Sequence, residues 1–380
     1  YFLKSPGVAP DVGDMFFQGD LATTLRAIAE NGAAGFYEGP VADLIVAEMS
    51  ENGGLITHED LKNYRAVKRA AVRGAYRGHE IISMPPPSSG GVHVIQMLNI
   101  LEGYELKPLG HNSADYIHRL VEAMRRAYAD RSEYLGDPDF FDVPIEALTD
   151  HDYAATLRAQ IDLEKATSSD DVKPGLGPIT ESPETTHYSV VDSAGNAVAV
   201  TTTLNFSYGG GYTVDGAGFF LNNEMDDFSA KEGVQNAFGL LGGRANQIEP
   251  GKRPLSSMTP TIVLKDGKPL IVTGSPGGST IITVVLQVIL NIIEFEMNPM
   301  QATLAPRIHH QWRPDVVIAE PGVSIDTLRI LEGRGFKFSR NDDGEIRRRI
   351  MGRANTIVLD NGVLYGAADP RGPKSGVAAY

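Results

Sequence analysis

The stretch ESPETTHYSVVDSAGNAVAVTTT, beginning at Glu181, sets a strand-like THYSVVD directly behind an acidic, proline-containing segment, and its first threonine is Thr185. A threonine hydroxyl is a poor nucleophile until a base sits beside it, and a free α-amine on the same residue is such a base. That amine titrates near ~7.7 to 8.0, so a useful fraction is unprotonated at neutral pH. Thr185 is therefore read as a residue meant to become an N-terminus, by cleavage of the Glu184–Thr185 bond in an exposed segment that tolerates a cut. A plain β-branched strand entry would give the same triplet without any chemistry. The company the threonine keeps has to decide.

Three distant motifs supply it. TGSPGGS, Thr273 to Ser279, follows a strand pattern and precedes an apolar helix, so Gly277 and Gly278 can aim backbone N–H groups at an oxyanion. It lacks the lysine of a phosphate-binding loop. NNEMDDF brings Asn222, Asn223, Glu224, Asp226 and Asp227 together as a grip for an ammonium group, and KRPLSSMTPT offers Ser256 and Ser257 to a carboxylate. Taken singly, a glycine turn, a solvated loop and an ordinary turn explain each of the three. His309-His310 beside Trp312 reads as packing or hydrogen bonding rather than a metal site, and the acids of LGDPDFFD read as a capped turn rather than a calcium loop.

The composition supports small-molecule chemistry. At 380 residues and 42% hydrophobic, core material is ample, and a formal net charge of −14 offers no footprint for nucleic acid or an anionic membrane surface. No cysteine is present, which removes thiolate nucleophiles and cysteine-ligated metals. The most apolar run, Ile281 to Ile293, is interrupted by Gln287 and Asn291 and is too short to span a bilayer, so it predicts a buried helix. The start YFLKSPG shows no signal-peptide pattern, and a first residue of Tyr reads as a fragment.

Around the motifs, helical periodicity dominates the first half. Asp20 is the expected cap of a helix with Leu21, Leu25 and Ile28 on its apolar face and Gly32 as its stop; Pro40 and Gly53 bracket a second helix, and Thr57 with Asp60 has capping-box spacing. HEIISM predicts a strand, Ser88 or Ser89 a helix start, and SADYIHRLVEAMRRAYADRSEYLGD a long helix with Ile117, Leu120, Val121 and Met124 on one face. From about residue 165 the texture becomes that of a linker or exposed loop. After Thr186 come strands: HYSVVD, AVAVTTTL, GFFLNN, then two hairpins turning at Asp266-Gly267 and Asn361-Gly362, with helices over Thr280 to Glu294 and Thr327 to Glu332 between them. Sheets flanked by helices point to a layered architecture.

TTHYSVVD, NNEMDDF, RPLSSMTPT and TGSPGGS, in this order and spacing, resemble γ-glutamyltranspeptidase, a family of N-terminal-nucleophile hydrolases, and upstream GGLITHEDL, MPPPSSGG and YADRSEYLGDPDF resemble its large subunit. The resemblance implies an α+β fold, a four-layer αββα sandwich incomplete at the N-terminus, with no cofactor. It implies autocatalytic cleavage into residues 1–184, the C-terminal part of a large subunit, and 185–380, a small catalytic subunit, the two forming a heterodimer. It implies γ-glutamyl transfer from glutathione or glutamine to water or an amine, and a periplasmic or secreted location. Thr185 then resembles the nucleophile and Thr203 its hydroxyl partner, with Asn205, Glu224 and Asp227 on the donor's α-amine, Ser256 and Ser257 on its α-carboxylate, and Gly277 and Gly278 as oxyanion donors. KEGVQNAFGLLGG resembles a lid, with Phe238 where many members carry tyrosine.

One departure stands at the front, where the family's glycine-rich strand region and carboxylate-clamping arginine find no match before YFLKSPG, leaving the two serines to face the carboxylate. Alternatives within the fold are a glutaryl β-lactam acylase or a poly-γ-glutamate depolymerase; outside it, a catalytically incompetent fragment. Asn205, Glu224 and Asp227 argue against the glutaryl case, because a glutaryl group has no amine to hold.

Overall fold

The computed structural model describes residues 3, 7–173, 185–229, 231, 236, 237, 239, 240, 242–372 and 375–379. They divide into two compact units, 1–69 with 206–223 and 70–205 with 224–380, so each unit draws on both sides of Thr185.

In the first unit, α1 (Gly19–Asn31), α2 (Ala34–Tyr37), α3 (Gly39–Asn52) and α4 (His58–Asn63) follow one another closely. Val41, Ala42 and Ile45 of α3 bury against Leu61, Val214 and Ala217. Pro40 in the first turn of α3, Gly53 left-handed at its end and the Thr57–Asp60 capping box of α4 all stand as expected. The start of α1 does not: Asp20 lies inside the first turn, Gln18 occupies the cap without a side-chain bond, and Leu25 is exposed while Thr24 is buried, donating to the Ala217 carbonyl at 2.8 Å. GFFLNN forms no strand. Phe220 makes only an isolated bridge to Thr213, because Gly209, Gly211, Gly216 and Gly218 at positive φ fold residues 206–223 into turns.

The second unit carries the sheet. Its elements are β1 (Val72–Tyr76), β2 (His79–Ser83), α5 (Gly90–Glu102), α6 (Ala114–Tyr134), α7 (Ile145–Leu148), α8 (His151–Ala159), β3 (Thr186–Val191), β4 (Ala197–Thr202), β5 (Thr261–Lys265), β6 (Lys268–Gly274), α9 (Thr280–Ile293), α10 (Pro299–Leu304), β7 (Ile308–His309), β8 (Ile318–Ala319), α11 (Ile325–Gly333), β9 (Asn355–Asp360) and β10 (Val363–Ala368). Six strands pair antiparallel in the order β1-β2-β5-β6-β9-β10. The turns Asp266-Gly267 and Asn361-Gly362 have both residues at positive φ, which matches the twist of a tight hairpin. Helices α5 and α9 pack on this sheet, and the β3–β4 hairpin packs on β5, β6 and β9 as a second layer of strands. Helices and stacked sheets give the expected α+β layering.

Helix α9 is buried from Thr280 to Asn291, as its apolar run predicts, and no helix among the described residues is long and apolar enough to cross a membrane. Helix α6 is capped by Ser113 and buries both its expected apolar face and Glu122, Arg125 and Arg126. Those charges pair inside: Glu122 Oε2 accepts from Arg126 at 2.6 Å, and Arg125 bonds Asp315. The expected linker is partly fixed structure, since the Trp312 indole donates to the Ser169 and Val172 carbonyls at 3.0 Å and Ala166 N–H donates to Arg334 O at 2.8 Å. Residues 174–184, including Glu184, lie outside the described residues.

Candidate active site

Thr185 owes its place to strand alternation. The hairpin register pairs Thr186 with Thr202, which sets Thr185 opposite Thr203, and their hydroxyls meet at 3.3 Å. Side chains two apart share a face. On that face His187 is buried and Ser189 Oγ donates to the carbonyls of Val272 and Asn355 at 3.2 and 3.3 Å, while Tyr188 and Val190 point to the exposed side. The His187 ring fills the space where Gly274 would carry a Cβ, so the head of β3 is seated on the end of β6. Burial pushes the His187 imidazole down to about 4, and its two nitrogens are taken by Thr201 Oγ1 at 2.9 Å and Ser189 Oγ at 3.1 Å. It is a prop for the strand and offers Thr185 no base.

From Gly274 the chain turns through Pro276, Gly277 and Gly278 into α9. Gly277 has φ 140° and Gly278 φ 54°, and a Cβ on Gly277 would collide with the Thr280 hydroxyl. The Gly277 carbonyl turns inward to accept from Thr280 Oγ1 at 2.6 Å and Thr280 N–H at 3.0 Å. Neither glycine N–H has a partner among the described residues. Pro276 and Thr185 line one cavity of about 510 Å³, with Arg353 and Asn355 also on its wall.

The acidic turn is tied to Asn246, whose amide donates to the Asp227 carbonyl. Glu224 and Asp227 bound a single 3-10 turn and are both half-buried. Burial raises Glu224 to about 7; burial, then the neighbouring Glu224, raise Asp227 to about 8 against the opposing pull of Arg131. Asn205, buried at φ 73°, donates its N–H to Thr203 Oγ1 at 2.8 Å, which links this residue to the threonine pair. Phe238 lies outside the described residues.

Ser256 and Ser257 lie on a loop stapled to PPPSS. Ser256 N–H donates to Pro87 O at 2.8 Å, and the Ser256 carbonyl accepts from Ser89 N–H at 2.9 Å and Ser89 Oγ at 3.0 Å. Ser89 precedes α5 as expected, but its hydroxyl serves this loop and does not cap the helix. Asp137 does form a capped turn, accepting from Asp139 N–H at 3.2 Å, and its other oxygen takes Arg253 N–H at 2.9 Å. His309 bonds Thr283 Oγ1 at 2.8 Å and Gln311 Oε1 at 2.9 Å, as a packed, hydrogen-bonded histidine should. His310, however, does reach a carboxylate, Asp315, at 3.2 Å.

Two residues escaped the sequence reading. Arg131 stands behind Ser257, where only serine hydroxyls were expected, donating to Ser257 Oγ at 3.2 Å. Asn246 ties the acidic turn to the serine loop: its buried amide donates to Asp227 O at 2.7 Å and accepts from Leu255 N–H at 2.9 Å. Asn246→Ala should cost about 1 to 3 kcal/mol of stability by orphaning those two backbone groups. Thermal and urea unfolding measure it, and an unchanged midpoint would show the tie to be idle.

Layered sheets, a threonine heading a strand opposite a second hydroxyl, and a cavity shared by that threonine and Pro276, the residue before the glycine pair, define the class: an N-terminal-nucleophile type of fold. The chain belongs to the γ-glutamyltranspeptidase family, whose sequence model, described as Gamma-glutamyltranspeptidase, matches residues 1–379. It is 53% identical over 369 residues to the glutathione hydrolase proenzyme of Escherichia coli (strain K12), covering 97% of this chain and 62% of that protein. It is 39% identical over 366 residues to an acylase ACY 1 proenzyme of Pseudomonas sp. (strain SE83), covering 96% and 62%. Among solved structures, the cephalosporin acylase from Bacillus halodurans superposes with a TM-score of 0.83 at 30% identity, covering 99% of this chain and 65% of that one. The chain thus spans about three fifths of the length of these curated relatives, 62%.

Proposed function

We propose that the protein carrying this chain hydrolyses and transfers γ-glutamyl groups of glutathione and similar donors, through an ester on Thr185, after cleavage before that residue into two associated pieces. The observation that carries the reading is the pair Glu224 and Asp227 held beside Arg131 and the Ser256-Ser257 loop. Carboxyls on one side and hydroxyls backed by a cation on the other suit an amino-acid head, with an amine and a carboxylate on one carbon. Glutathione hydrolase relatives support this choice over the acylases, whose names also occur among the relatives.

The experiment compares kcat/KM for γ-glutamyl-p-nitroanilide with glutaryl-p-nitroanilide, which lacks only the amine, across pH 5.5 to 9.5. An ammonium is gripped by carboxylates, not carboxylic acids. Because Glu224 and Asp227 are raised to about 7 and 8, donor capture should strengthen as pH rises through that window and weaken as it falls. An unperturbed α-amine titrates near ~7.7 to 8.0 as well, but one on Thr185 would act on both donors alike. The ratio of the two profiles should therefore climb between pH 6.5 and 8.5 and favour the γ-glutamyl donor. A flat ratio near one would overturn the γ-glutamyl reading and leave the glutaryl one.

A further inference from the structure

Burying a guanidinium is costly unless an anion or a full set of acceptors meets it. The other buried arginines of α6 and its surroundings follow that rule: Arg125 and Arg126 meet Glu122, and Arg307 meets Asp369 at 2.6 Å. Arg131 does not. It is 3% exposed, and among the described residues its side chain ends on two hydroxyls, Nε donating to Ser89 Oγ at 2.9 Å and Nη2 to Ser257 Oγ at 3.2 Å. Burial lowers its pKa only to about 10, so it remains a cation at neutral pH, and Asp227 opposes that lowering through space without reaching ion-pair distance.

The direction of these bonds is fixed by chemistry, because a guanidinium has donors and no acceptor. Both serine oxygens must accept from Arg131, and each hydroxyl proton is left to be given elsewhere. Ser89 gives its proton to the Ser256 carbonyl at 3.0 Å. Ser257 is the same case with the last partner missing: it is 8% exposed, and its hydroxyl proton has no acceptor among the described residues. A hydroxyl polarised by a buried cation and lacking an acceptor is a site for an anion.

We propose that Arg131 is a positioning residue for the carboxylate of the acyl donor, holding Ser257 with its proton outward and supplying the positive charge behind it. The assignment rests on the donor reading above, in that it takes the anion at Ser257 to be the donor's carboxylate. It also gives Ser89 a role, as the second hydroxyl that fixes the guanidinium in its plane and staples the loop bearing Ser257.

The test uses the full-length protein and four p-nitroanilides: γ-glutamyl, glutaryl (no amine), 4-aminobutanoyl (no carboxylate) and butanoyl (neither). Arg131→Met should lower kcat/KM about 10- to 100-fold for the γ-glutamyl and glutaryl donors, mainly through KM, and leave the 4-aminobutanoyl and butanoyl rates within about threefold. Arg131→Lys keeps the charge but cannot hold both serines, and should recover part of the loss. Ser257→Ala should cost less in the Arg131→Met background than alone, since one acts through the other. Equal losses for all four donors would make Arg131 a support of α6 and overturn the proposal, as would no loss at all. If Arg131→Met yields no folded protein, Arg131→Lys decides by the same criterion, a KM increase confined to carboxylate donors. A wild type that ignores the donor's amine would sink the γ-glutamyl reading, whereas the glutaryl and butanoyl pair still tests Arg131 by itself.

Discussion

Thr185→Ala should accumulate as one uncleaved chain with no detectable γ-glutamyl transfer, a loss of at least about 10⁴-fold, whereas Thr185→Ser should split and keep partial activity. One oxygen would be used twice. On the function proposed above, the precursor's hydroxyl would attack the carbonyl of the preceding residue, the peptide nitrogen would leave as the α-amine, and water would hydrolyse the ester so formed. The acyl shift would free the amine and the hydrolysis would free the hydroxyl, which the amine then serves as base. Alanine removes the nucleophile from both steps; serine keeps the oxygen and loses only the methyl group. Thr203, at 3.3 Å, is the hydroxyl placed to orient it, so Thr203→Ala should slow both steps without abolishing them. Denaturing mass spectrometry and N-terminal sequencing give the readout. The smaller wild-type piece should begin Thr-Thr-His-Tyr, and any other start would remove Thr185 from the reaction.

What the sequence made legible were features written locally. The β3–β4 hairpin, the Asp-Gly and Asn-Gly turns and the capping box at Thr57 each depend on residues within a few positions of one another. Thr185, the glycine pair, the acidic turn and the serine pair were likewise visible as short motifs. The acid pair and the glycine loop acquire their chemistry from burial and backbone direction that no motif displays. Arg131 lies within YADRSEYLGDPDF, where no local feature distinguishes it, because its meaning comes from Ser89 and Ser257, which are distant in sequence. Periodicity also misleads on α6: it marks one apolar face, but the opposite face is buried too, with its charges paired internally. GFFLNN has strand composition, and the glycines flanking it at positive φ override that preference.

Asp227→Ala should mature normally and yet lose about 2 to 5 kcal/mol of donor recognition, roughly 30- to 4,000-fold in kcat/KM for γ-glutamyl-p-nitroanilide. Maturation is spared because the cleaved bond brings no free α-amine to the acidic turn. Donor turnover is not, since the ammonium would lose one of the two carboxyls offered to it and keep only Glu224. Glutaryl-p-nitroanilide, having no amine, should be unaffected or improved, because removing Asp227 also removes a group that resists being left charged without a counterion. The two acids are coupled, so the neighbouring variant carries a pH signature. Glu224→Gln removes the titration near 7 and one of the causes holding Asp227 up at about 8, so the rise of γ-glutamyl kcat/KM should become a single step whose upper limb is reached at lower pH than in wild type. A structural role for the turn would instead depress both donors together and leave the profile where it was. Parallel loss of γ-glutamyl and glutaryl turnover in Asp227→Ala, with no shift in Glu224→Gln, would take the ammonium grip away from these residues and assign them to holding the turn.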